Sequence, residues 1–443
     1  MKIKDTSQKA DLYLENFSRH NPFVKAIQQL RLTKSELEER LTNRPDVING
    51  FEYASASTKE IAIDKSLYLT PPYAIDIYSR LLTLMTMGYL NRHPAESDYD
   101  KYIHLSDINE APAPESLNDS GSSVFVFGCS GAGKTQLFER LLDIMGTSIE
   151  HPPSEYTGHR KLTQLLWVKL DMKLGDSRSA FYRNVIEKID AVLDTNFATN
   201  MPSGDSKDER FLYMIKVCRM VCLGLFVIDD VQWAMSETNR ANEKKVTNQF
   251  LESLFNQLGV PIVFIGTPES KTLEGLREQT GRRLSHNGRV EINLHKVKST
   301  FWQNLVRILF VNFLNMPEQN VTEEFFHVIH YYTEGNGDRL QSIVFNLLRK
   351  ELDGDITFEQ IFSAYKEEKE GFEVLKSPYS AINEASKKGV LLSGLNGNKE
   401  KKPRLEPSGD ETSFNSDTFD EFIDEDDDEF EDQFIHKGNV DEF

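Results

Sequence analysis

Residues 128–135 read Gly-Cys-Ser-Gly-Ala-Gly-Lys-Thr and match the pattern Gly-x-x-x-x-Gly-Lys-Ser/Thr at every fixed position. In this pattern backbone N–H groups close around phosphate oxygens, the lysine reaches the terminal phosphates, and the hydroxyl binds Mg²⁺. The run therefore predicts a binding site for a nucleotide and its metal ion. The residues expected to form it are Gly128, Cys129, Ser130, Gly131, Ala132, Gly133, Lys134, Thr135 and Gln136.

The residues on both sides of this loop favour the same interpretation. Residues 122–127 have the composition of a buried strand, and residues 136–142 have the spacing of an amphipathic helix. A loop between a strand and a helix places the free N–H groups of the helix N-terminus against the phosphates. A glycine-rich turn without a ligand is the alternative, and it would not require these flanking elements.

A second apolar stretch ends in two carboxylates. Residues 225–228 are Leu-Phe-Val-Ile and precede Asp229 and Asp230. A strand that is apolar at successive positions is typical of a parallel sheet buried on both faces, whose ligands lie beyond the C-terminal strand ends. We therefore expect Asp229 to hold Mg²⁺ with Thr135, and Asp230 to orient or deprotonate the attacking water. An ordinary turn after the strand is the alternative.

Four further residues are candidates for contact with the γ-phosphate. Thr267 ends the apolar stretch 260–266, where a small polar side chain suits the attacking water or the γ-phosphate. Arg282 and Arg283 lie in a turn-rich stretch, and a guanidinium suits γ-phosphate contact from a neighbouring subunit. Arg339 begins a predicted helix and would close over the nucleotide. A strand-end turn, a solvated basic turn and a surface helix start are the respective alternatives.

The net charge of −19 is concentrated at the C-terminus. Residues 410–443 contain 15 acidic residues and one lysine, a net charge of −14, which leaves −5 for the first 409 residues. The acidity of the whole chain therefore does not exclude DNA binding by its body. Phenylalanines are spaced through the acidic run, which predicts a disordered segment that either docks a basic partner or only keeps the chain soluble.

Cysteine usage and hydropathy indicate the cellular setting. Three cysteines, Cys129, Cys218 and Cys222, do not make a disulfide framework and favour a reducing cytosol. Cys218 and Cys222 are interpreted as core residues rather than metal ligands. No apolar run of about 18 residues exists and the N-terminus lacks a secretion signal, so a cytoplasmic protein without a membrane span is expected.

The pattern of predicted strands and helices divides the chain into four parts. An N-terminal extension with a docking segment (1–118) precedes an alternating strand and helix region (119–296), a helical region (297–372), and a linker with the acidic tail (373–443). Alternation predicts an α/β fold with a parallel sheet covered by helices. The expected strands are 124–127, 165–170, 225–229, 261–265 and 290–294. The expected helices are 74–90, 301–315, 323–332, 339–352 (capped by Asp338) and 358–366.

The phosphate loop, acidic strand end, polar strand end, arginine turn and helical lid, in this order, resemble an AAA+ ATPase. Within that class the chain resembles TnsC, with its TniB relatives, the ATP-dependent regulators of heteromeric bacterial transposons. The resemblance covers roughly residues 15–350. Beside the phosphate loop it is carried by Asn-Pro-Phe (21–23), Met-Gly-Tyr-Leu-Asn-Arg-His-Pro (87–94), Val-Ile-Asp-Asp-Val-Gln (227–232), Ile-Gly-Thr-Pro (265–268) and Arg-Arg (282–283).

The resemblance implies ATP and Mg²⁺ as cofactors and an ATPase that regulates DNA transposition in the bacterial cytoplasm. It implies homo-oligomeric rings or helical filaments on double-stranded DNA, bound without sequence preference, that couple a target-selection protein to the transposase subunits. Tyr89 and Arg92 would flank the adenine, with core packing as the alternative for Tyr89. Lys173, Arg178 and Arg183 would contact DNA phosphates, with a solvated loop as the alternative. The tail 410–443 would dock a transposase subunit.

Two other functions remain open at this point. A replication initiator or helicase loader shares these motifs and also coats DNA. A signalling switch ATPase would hold nucleotide, hydrolyse it slowly and bind no DNA. Asp230 stands where the resembled family usually has Glu, and its shorter carboxylate predicts slow hydrolysis, which suits the switch.

Overall fold

The computed structural model describes residues 20–103, 107–111, 122–173, 177–202, 207–234, 248–268, 288–352, 354 and 356–368. Its strands are β1 (Ser123–Gly128), β2 (Ser148–His151), β3 (Leu162–Leu165), β4 (Trp167–Asp171), β5 (Leu225–Asp229), β6 (Ile262–Gly266) and β7 (Arg289–Ile292). Five of them form a parallel sheet in the order β4-β5-β6-β1-β7, and β2 and β3 form an antiparallel pair.

The helices before the last strand are α1 (Pro22–Gln29), α2 (Lys34–Leu41), α3 (Ala56–Lys65), α4 (Ala74–Leu90), α5 (Ser97–Ile103), α6 (Lys134–Met145), α7 (Arg178–Leu193), α8 (Lys207–Met220) and α9 (Asn248–Leu258). The helices after it are α10 (Thr300–Arg307), which continues as a π-helix (Ile308–Phe313), α11 (Glu323–Thr333), α12 (Gly337–Arg349) and α13 (Phe358–Glu368).

Both faces of the parallel sheet are covered by helices. Along β1, Phe125 and Phe127 enter a core with α7, α8 and α9, whereas Val124 and Val126 enter a second core with α1, α2, α4 and α6. This alternation follows from the two-residue period of a strand, and all six β1 residues are buried. The α/β prediction is confirmed, and the successive apolar residues are explained by burial on both faces.

The structure divides one of the predicted strands into two separate strands. The stretch 165–170 divides into the end of antiparallel β3 and the parallel strand β4, with Leu166 between them. Leu165 and Leu166 are fully buried on either side of the change, so hydropathy gives no sign of it. The strand predicted over 225–229 has the observed bounds of β5, and the remaining three differ by one or two residues, as is usual at element ends.

The N-terminal extension packs into the second core. Asn21 caps α1 by accepting from the Phe23 N–H (2.9 Å), and its Nδ2 donates to the carbonyl of Tyr89 (2.8 Å). Phe23 is fully buried, with its ring centroid 5.1 Å from that of Tyr89. The Asn-Pro-Phe segment, expected to be a docking element, therefore docks onto the chain's own core.

Residues 44–67 leave the sheet region and join the helical region. The excursion begins and ends at one antiparallel bridge, in which the N–H groups of Asn43 and Tyr68 donate to each other's carbonyls (2.8 and 2.9 Å). Between these points Phe51, Ile63 and Leu67 enter the core formed by α10 to α13. The helical region is therefore completed by residues far away in the sequence.

The helical region differs in two details from its predicted boundaries. The helix expected over 301–315 becomes a π-helix after Arg307. The cap of α12 is Asn336 rather than Asp338, because the Asn336 side chain accepts from the N–H groups of Asp338 and Arg339. Among the helices within the described ranges, none is both long and apolar enough to cross a membrane.

Candidate functional site

The phosphate loop connects the C-terminal end of β1 to the start of α6. Gly131 and Gly133 have φ angles of +77° and +79°, values that a residue with a Cβ rarely adopts, so the loop needs glycine at both positions. Lys134 begins α6, and its Nζ donates to the carbonyls of Gly128 (2.6 Å) and Cys129 (2.8 Å). The ammonium group is thereby held over the loop that it is expected to serve.

The acidic end of β5 meets this loop. Thr135 Oγ1 donates to Asp229 Oδ2 (2.9 Å), although the two residues are 94 positions apart in the sequence. The other carboxylate oxygen, Oδ1, accepts from the N–H of Asp230 (2.9 Å). Asp229 is 1% exposed, so its carboxylate is fixed at the point where the strand ends. The structure thus brings together the two residues that the sequence assigned to Mg²⁺.

A buried lysine, which the sequence analysis did not single out, lies beside Asp229. Lys169 on β4 places its Nζ 3.4 Å from Asp229 Oδ2 and 3.5 Å from Glu139 Oε1, and it also pairs with Asp171. Its side chain is 7% exposed. A lysine within an apolar strand that neighbours an acidic strand end was the available signal, because buried charges require partners.

Burial and charge act in opposite directions on this pair. Burial raises the pKa of Asp229, while the Lys169 ammonium and the Thr135 hydroxyl act to lower it. For Lys169, burial alone would lower the pKa, but the hydrogen bond to Asp171 and the charge of Asp229 leave it above its ordinary value. The lysine is therefore an ammonium at neutral pH and favours the ionised form of Asp229.

Asp230 and Thr267 are connected through Gln232. Gln232 Nε2 donates to Asp230 Oδ1 (2.9 Å), and Gln232 Oε1 accepts from the N–H of Thr267 (3.3 Å). Asp230 has a φ angle of +55°, in the left-handed region that Asp tolerates better than most residues. The side-chain amide of Gln232 connects the two strand ends, a role that no pattern in the sequence indicated.

A cavity of about 400 Å³ lies in front of these residues. One half is polar and is lined by the phosphate loop together with Asp230, Gln232 and Thr267. The other half is mainly apolar. It is formed by the excursion (44–67), by the residues that follow it (68–73) and by the helical region. Its principal lining residues are Ile63, Leu67, Tyr68, Leu69, Pro71, Tyr73, Phe301, Leu305 and Leu309.

Burial in and beside the apolar half favours the neutral form of its ionisable rings, Tyr68, Tyr73 and His295. Burial raises the pKa of Tyr73 to about 12 and also raises that of Tyr68. The Arg140 guanidinium lies 4.2 Å from the centroid of the Tyr68 ring. His295, at the border with the polar half, has a pKa lowered to about 4 by burial and by the neighbouring His330.

The helical region touches the phosphate loop through Asn336. Its Nδ2 donates to the carbonyl of Ser130 (2.9 Å), while its Oδ1 caps α12. Asn336 is 6% exposed, and Asp338 beside it lines the cavity. The region predicted to be a lid therefore contacts the loop directly, through a residue not among the expected site residues.

The arginine candidates are not gathered at the cavity. Arg339 is ion-paired with Glu334 and is not among the lining residues, although Gly337, Asp338 and Gln341 on the same helix are. Arg282 and Arg283 lie outside the described residues. Their assignment to a γ-phosphate remains a prediction.

The expectation that Tyr89 and Arg92 flank the adenine does not match their positions. Tyr89 OH donates to the carbonyl of Cys222 (2.7 Å), and Arg92 donates to the carbonyl of Leu223 (2.6 Å). These carbonyls precede β5, whereas Asp229 is its last residue, so the length of the strand separates Tyr89 and Arg92 from the cavity by about 16 Å.

The run 87–94 has a structural role at that edge of the sheet. A Cβ at Gly88 would lie 2.5 Å from the Pro261 side chain, so only glycine allows α4 this close to the start of β6. Tyr89 is fully buried, and Arg92 is 1% exposed with its guanidinium 4.5 Å from the Tyr89 ring centroid. Tyr89 thus has the core position that was its alternative interpretation, and Arg92 is buried beside it.

The three cations expected to contact DNA follow β4. Lys173 and Arg183 are exposed, and Arg183 lies 3.7 Å from Glu187 one helical turn away. The Arg178 guanidinium lies 5.4 Å from the centroid of the Phe250 ring and is only partly exposed. Lys173 and Arg183 are accessible to a phosphate backbone, whereas Arg178 packs on an aromatic ring.

The cysteines are placed as the sequence predicts. Cys218 and Cys222 are fully buried, burial raises the pKa of both thiols to about 12, and Cys129 in the loop is exposed.

Within the described part of the chain, no three His, Cys, Asp or Glu side chains converge as a metal-binding group. The Thr135 hydroxyl and the Asp229 carboxylate beside a phosphate loop nevertheless fit Mg²⁺, a hard cation that takes few protein ligands and completes its shell with phosphate and water.

Comparison with known proteins agrees with this architecture. Residues 117–273 match the family model described as AAA domain. No protein with a curated function matches the chain at a significant level. Among solved structures, the Walker-type ATPase of Pyrococcus abyssi is 15% identical with a TM-score of 0.39, over 60% of this chain and 71% of that one.

Two proteins of Aeropyrum pernix are also similar. The ORC1 protein, solved in complex with DNA, is 13% identical with a TM-score of 0.28, over 61% of this chain and 79% of that one. The ORC2 protein, solved in ADPNP-ADP complexes, is 11% identical with a TM-score of 0.36, over 60% and 72%. Residues 117–273 thus match an AAA domain, and the parallel sheet with its surrounding helices has the AAA+ P-loop NTPase fold.

Proposed function

We propose that the chain binds ATP with Mg²⁺ between the phosphate loop and the helical region, and hydrolyses it. The observation that carries this proposal is the 2.9 Å hydrogen bond between Thr135 and Asp229 beside the loop. A hydroxyl and a buried carboxylate that meet at this point are the protein ligands used for the metal of P-loop nucleotides. Lys134, held over the same loop, supplies the positive charge for the terminal phosphates.

The apolar half of the cavity suits the base. A purine is flat and largely apolar on its faces, and Tyr68, Leu69, Pro71 and Phe301 offer a surface of that kind. The loop and this surface line the same cavity, so one nucleotide can reach both. On this proposal the adenine is contacted by residues of the stretch 63–73 rather than by Tyr89 and Arg92.

The chemistry divides among the chain's own groups. When bound, Mg²⁺ neutralises charge on the β- and γ-phosphates. Thr135 and Asp229 would hold it, and Lys169 keeps Asp229 ionised and oriented. Asp230 would accept a proton from the attacking water or orient it, and Gln232 connects Asp230 to Thr267 through two hydrogen bonds. The short Asp230 side chain, already hydrogen-bonded to Gln232, predicts slow turnover.

Calorimetry and a phosphate-release assay on the full chain test this part of the proposal. Wild type should bind ATP more tightly with Mg²⁺ than without it and release phosphate slowly. Asp229→Asn should remove most of the Mg²⁺ dependence, whereas Asp143→Asn, at an exposed position on α6, should change nothing. Binding that is equal with and without Mg²⁺ in wild type would contradict the proposed metal site.

We further propose that this ATPase regulates DNA transposition by assembling on double-stranded DNA and coupling a target-selection protein to the transposase. Support comes from the resemblance of the runs 87–94 and 265–268, and from the exposed Lys173 and Arg183. Head-to-tail contacts of identical subunits form rings or helical filaments, and Arg282 or Arg283 would then reach the nucleotide of a neighbour. Contacts to phosphates would be independent of sequence and sensitive to salt.

Electron microscopy of the protein with duplex DNA, with and without a non-hydrolysable ATP analogue, tests the assembly. Nucleotide-dependent rings or filaments on DNA are the expected result. Reversing Lys173 and Arg183 to Glu should reduce the slope of log affinity against log salt by roughly 1–2, while Lys65→Glu, on the exposed face of α3, should not. An unchanged slope in the double variant would remove these residues from the DNA interface.

The acidic tail is proposed to dock a transposase subunit. Its net charge of −14 over residues 410–443 and its spaced phenylalanines support docking to a basic surface. Deletion of these residues should leave ATP and DNA binding intact and weaken recovery of the transposase in a pull-down. Equal recovery with and without the tail would leave it a solubilising segment.

A signalling switch ATPase is the second candidate. The observation in its favour is the engagement of Asp230 by Gln232, which together with the short carboxylate suits a protein that holds nucleotide for long periods. Such a protein would exchange and hydrolyse ATP slowly and ignore DNA at low salt. Monomers that bind ATP but not duplex DNA would favour this candidate over the transposition regulator.

A further inference from the structure

Asn336 forms hydrogen bonds with both ends of its side-chain amide, one end to the start of α12 and the other to the phosphate loop. The Oδ1 atom accepts from the N–H groups of Asp338 (3.0 Å) and Arg339 (3.3 Å), which fixes the start of α12. The Nδ2 atom donates to the carbonyl of Ser130 (2.9 Å), which belongs to the phosphate loop. Because Asn336 is buried, these hydrogen bonds are shielded from exchange with water.

The hydrogen bond to Ser130 fixes the orientation of one peptide group. The Ser130–Gly131 peptide is planar, and the carbonyl and N–H of a trans peptide point in opposite directions. Asn336 holds the Ser130 carbonyl towards the helical region, so the Gly131 N–H is directed away from it. Phosphate loops bind anions through N–H groups that all face the ligand, which makes the orientation of this peptide a determinant of phosphate affinity.

The packing around Gly131 leaves little freedom for another arrangement. A Cβ at Gly131 would lie 2.6 Å from Asn336 Oδ1 and 2.8 Å from Asp338 Cβ. The residue before Asn336 is also anchored, since the His295 N–H donates to the carbonyl of Gly335 (3.1 Å). His330 in turn contacts the carbonyl of His295 through Nε2 (2.9 Å). The amide of Asn336 is therefore presented to the loop from a fixed support.

We propose that Asn336 is a positioning residue for phosphate binding, whose Nδ2 orients the Ser130–Gly131 peptide so that the loop is preformed for the nucleotide. The inference rests on the proposed ATP binding and adds the residue through which the helical region determines affinity for the phosphates. It predicts a selective effect. Loss of the donor weakens ligands that carry phosphates and leaves a nucleoside unaffected, because the base half of the cavity does not depend on this peptide.

The test is Asn336→Ser in the full chain, with binding of adenosine, ADP and ATP measured by calorimetry. Serine also caps helices well, so α12 keeps its start, but its shorter side chain does not reach the Ser130 carbonyl. ADP and ATP should bind about tenfold more weakly, as expected for one buried hydrogen bond, and adenosine should bind as in wild type. The matched control is Asn346→Ser on the same helix, where Nδ2 donates to the carbonyl of Ala364 (2.9 Å) away from the cavity.

The possible outcomes separate this inference from the proposed function. Equal losses for all three ligands, or no loss at all, would overturn the positioning role while leaving ATP binding intact. A folded wild-type chain that binds none of the three would refute the proposed function and the inference together. Should the serine variant not fold, Asn336→Thr keeps a neutral hydroxyl cap too short to reach the Ser130 carbonyl and adds no charge, and the same selectivity for phosphates is required of it.

Discussion

The two halves of the cavity are encoded in different ways. The phosphate half comes from one consecutive segment, residues 130–136, with the ends of β5 and β6. The apolar half comes from residues 63–73, at the end of the excursion and just after it, and from two stretches of the helical region around Phe301 and Asp338. The first half can be recognised by a fixed spacing of residue types. The second exists only after segments more than 200 residues apart have packed together.

The largest expected effect concerns the charge balance of the phosphate half. Lys169→Met leaves the buried Asp229 without its ammonium, which should lower the free energy of unfolding by about 3 kcal/mol. Urea denaturation at neutral pH measures this loss. The control is Lys161→Met, because Lys161 lies 2.7 Å from Glu150 in an exposed ion pair, and its removal should change the stability by less than about 1 kcal/mol. Equal losses would mean that Lys169 has no special relation to Asp229.

The second prediction separates the two halves by ligand. Lys134→Ala should lower the affinity for ATP about 100-fold, because a charge-assisted contact to the terminal phosphates is lost, and should leave adenosine binding unchanged. Calorimetry with both ligands measures the difference. Lys65→Ala, at an exposed lysine that does not line the cavity, serves as the control. A similar loss for adenosine would show that the two halves do not act independently.

The third prediction concerns pH and the border between the halves. His295 has a pKa of about 4 in the folded protein and an ordinary value near 6.5 when unfolded. The unfolded chain therefore binds more protons between these values, and stability should fall as the pH decreases from about 6.5 to 4. After allowance for partial exposure, the loss should be about 2 kcal/mol. Urea denaturation at several pH values measures it.

The corresponding variant is His295→Phe. Its ring keeps the contact with Phe301, whose ring centroid lies 4.5 Å from that of His295, but cannot take up a proton. The variant should lose less stability between pH 6.5 and 4 than wild type does. The remaining acid dependence would come from other buried histidines such as His330 and His151, whose pKa values burial also lowers. An identical pH profile in both proteins would contradict the burial of His295.

The smallest expected effect lies in the apolar half. Leu69→Ala removes apolar surface from the proposed base site and should weaken adenosine and ATP equally, by about three- to fivefold. Ile48→Ala makes a comparable change on the excursion, where the side chain is exposed, and should leave both affinities unaltered. An effect of Leu69→Ala on ATP alone would contradict the division of the cavity into a phosphate half and a base half.

The difference between the two halves also explains which features of the fold and the site could be predicted from the sequence. The α/β sheet followed from apolar strands such as 225–229, because burial on both faces leaves a local pattern. The loop and the acidic strand end were expected to meet because parallel strands end at the same edge, and Thr135 and Asp229 do so. These conclusions needed only short-range spacing and one general rule of sheet geometry.

The remaining features depend on tertiary contacts that spacing does not encode. Tyr89 and Arg92 belong to a run that resembles a known family. In the structure their side chains donate to carbonyls before the start of β5, whereas the cavity lies at the other end of that strand. Asn336 and Gln232 act through hydrogen bonds to residues 206 and 35 positions away. A polar side chain in a sequence does not reveal which distant carbonyl or N–H it will meet.

The excursion 44–67 determines where this protein can be divided. The matched AAA region, residues 117–273, is the natural choice for a minimal fragment, but it lacks Phe23 beneath the sheet and the whole helical core that Phe51, Ile63 and Leu67 complete. Such a fragment would expose large apolar surfaces and aggregate. A limited-proteolysis cut inside residues 44–67 should release the helical region from its fold while the sheet persists. A fragment chosen to fold independently should therefore include Asn21 and Phe23 as well as the excursion.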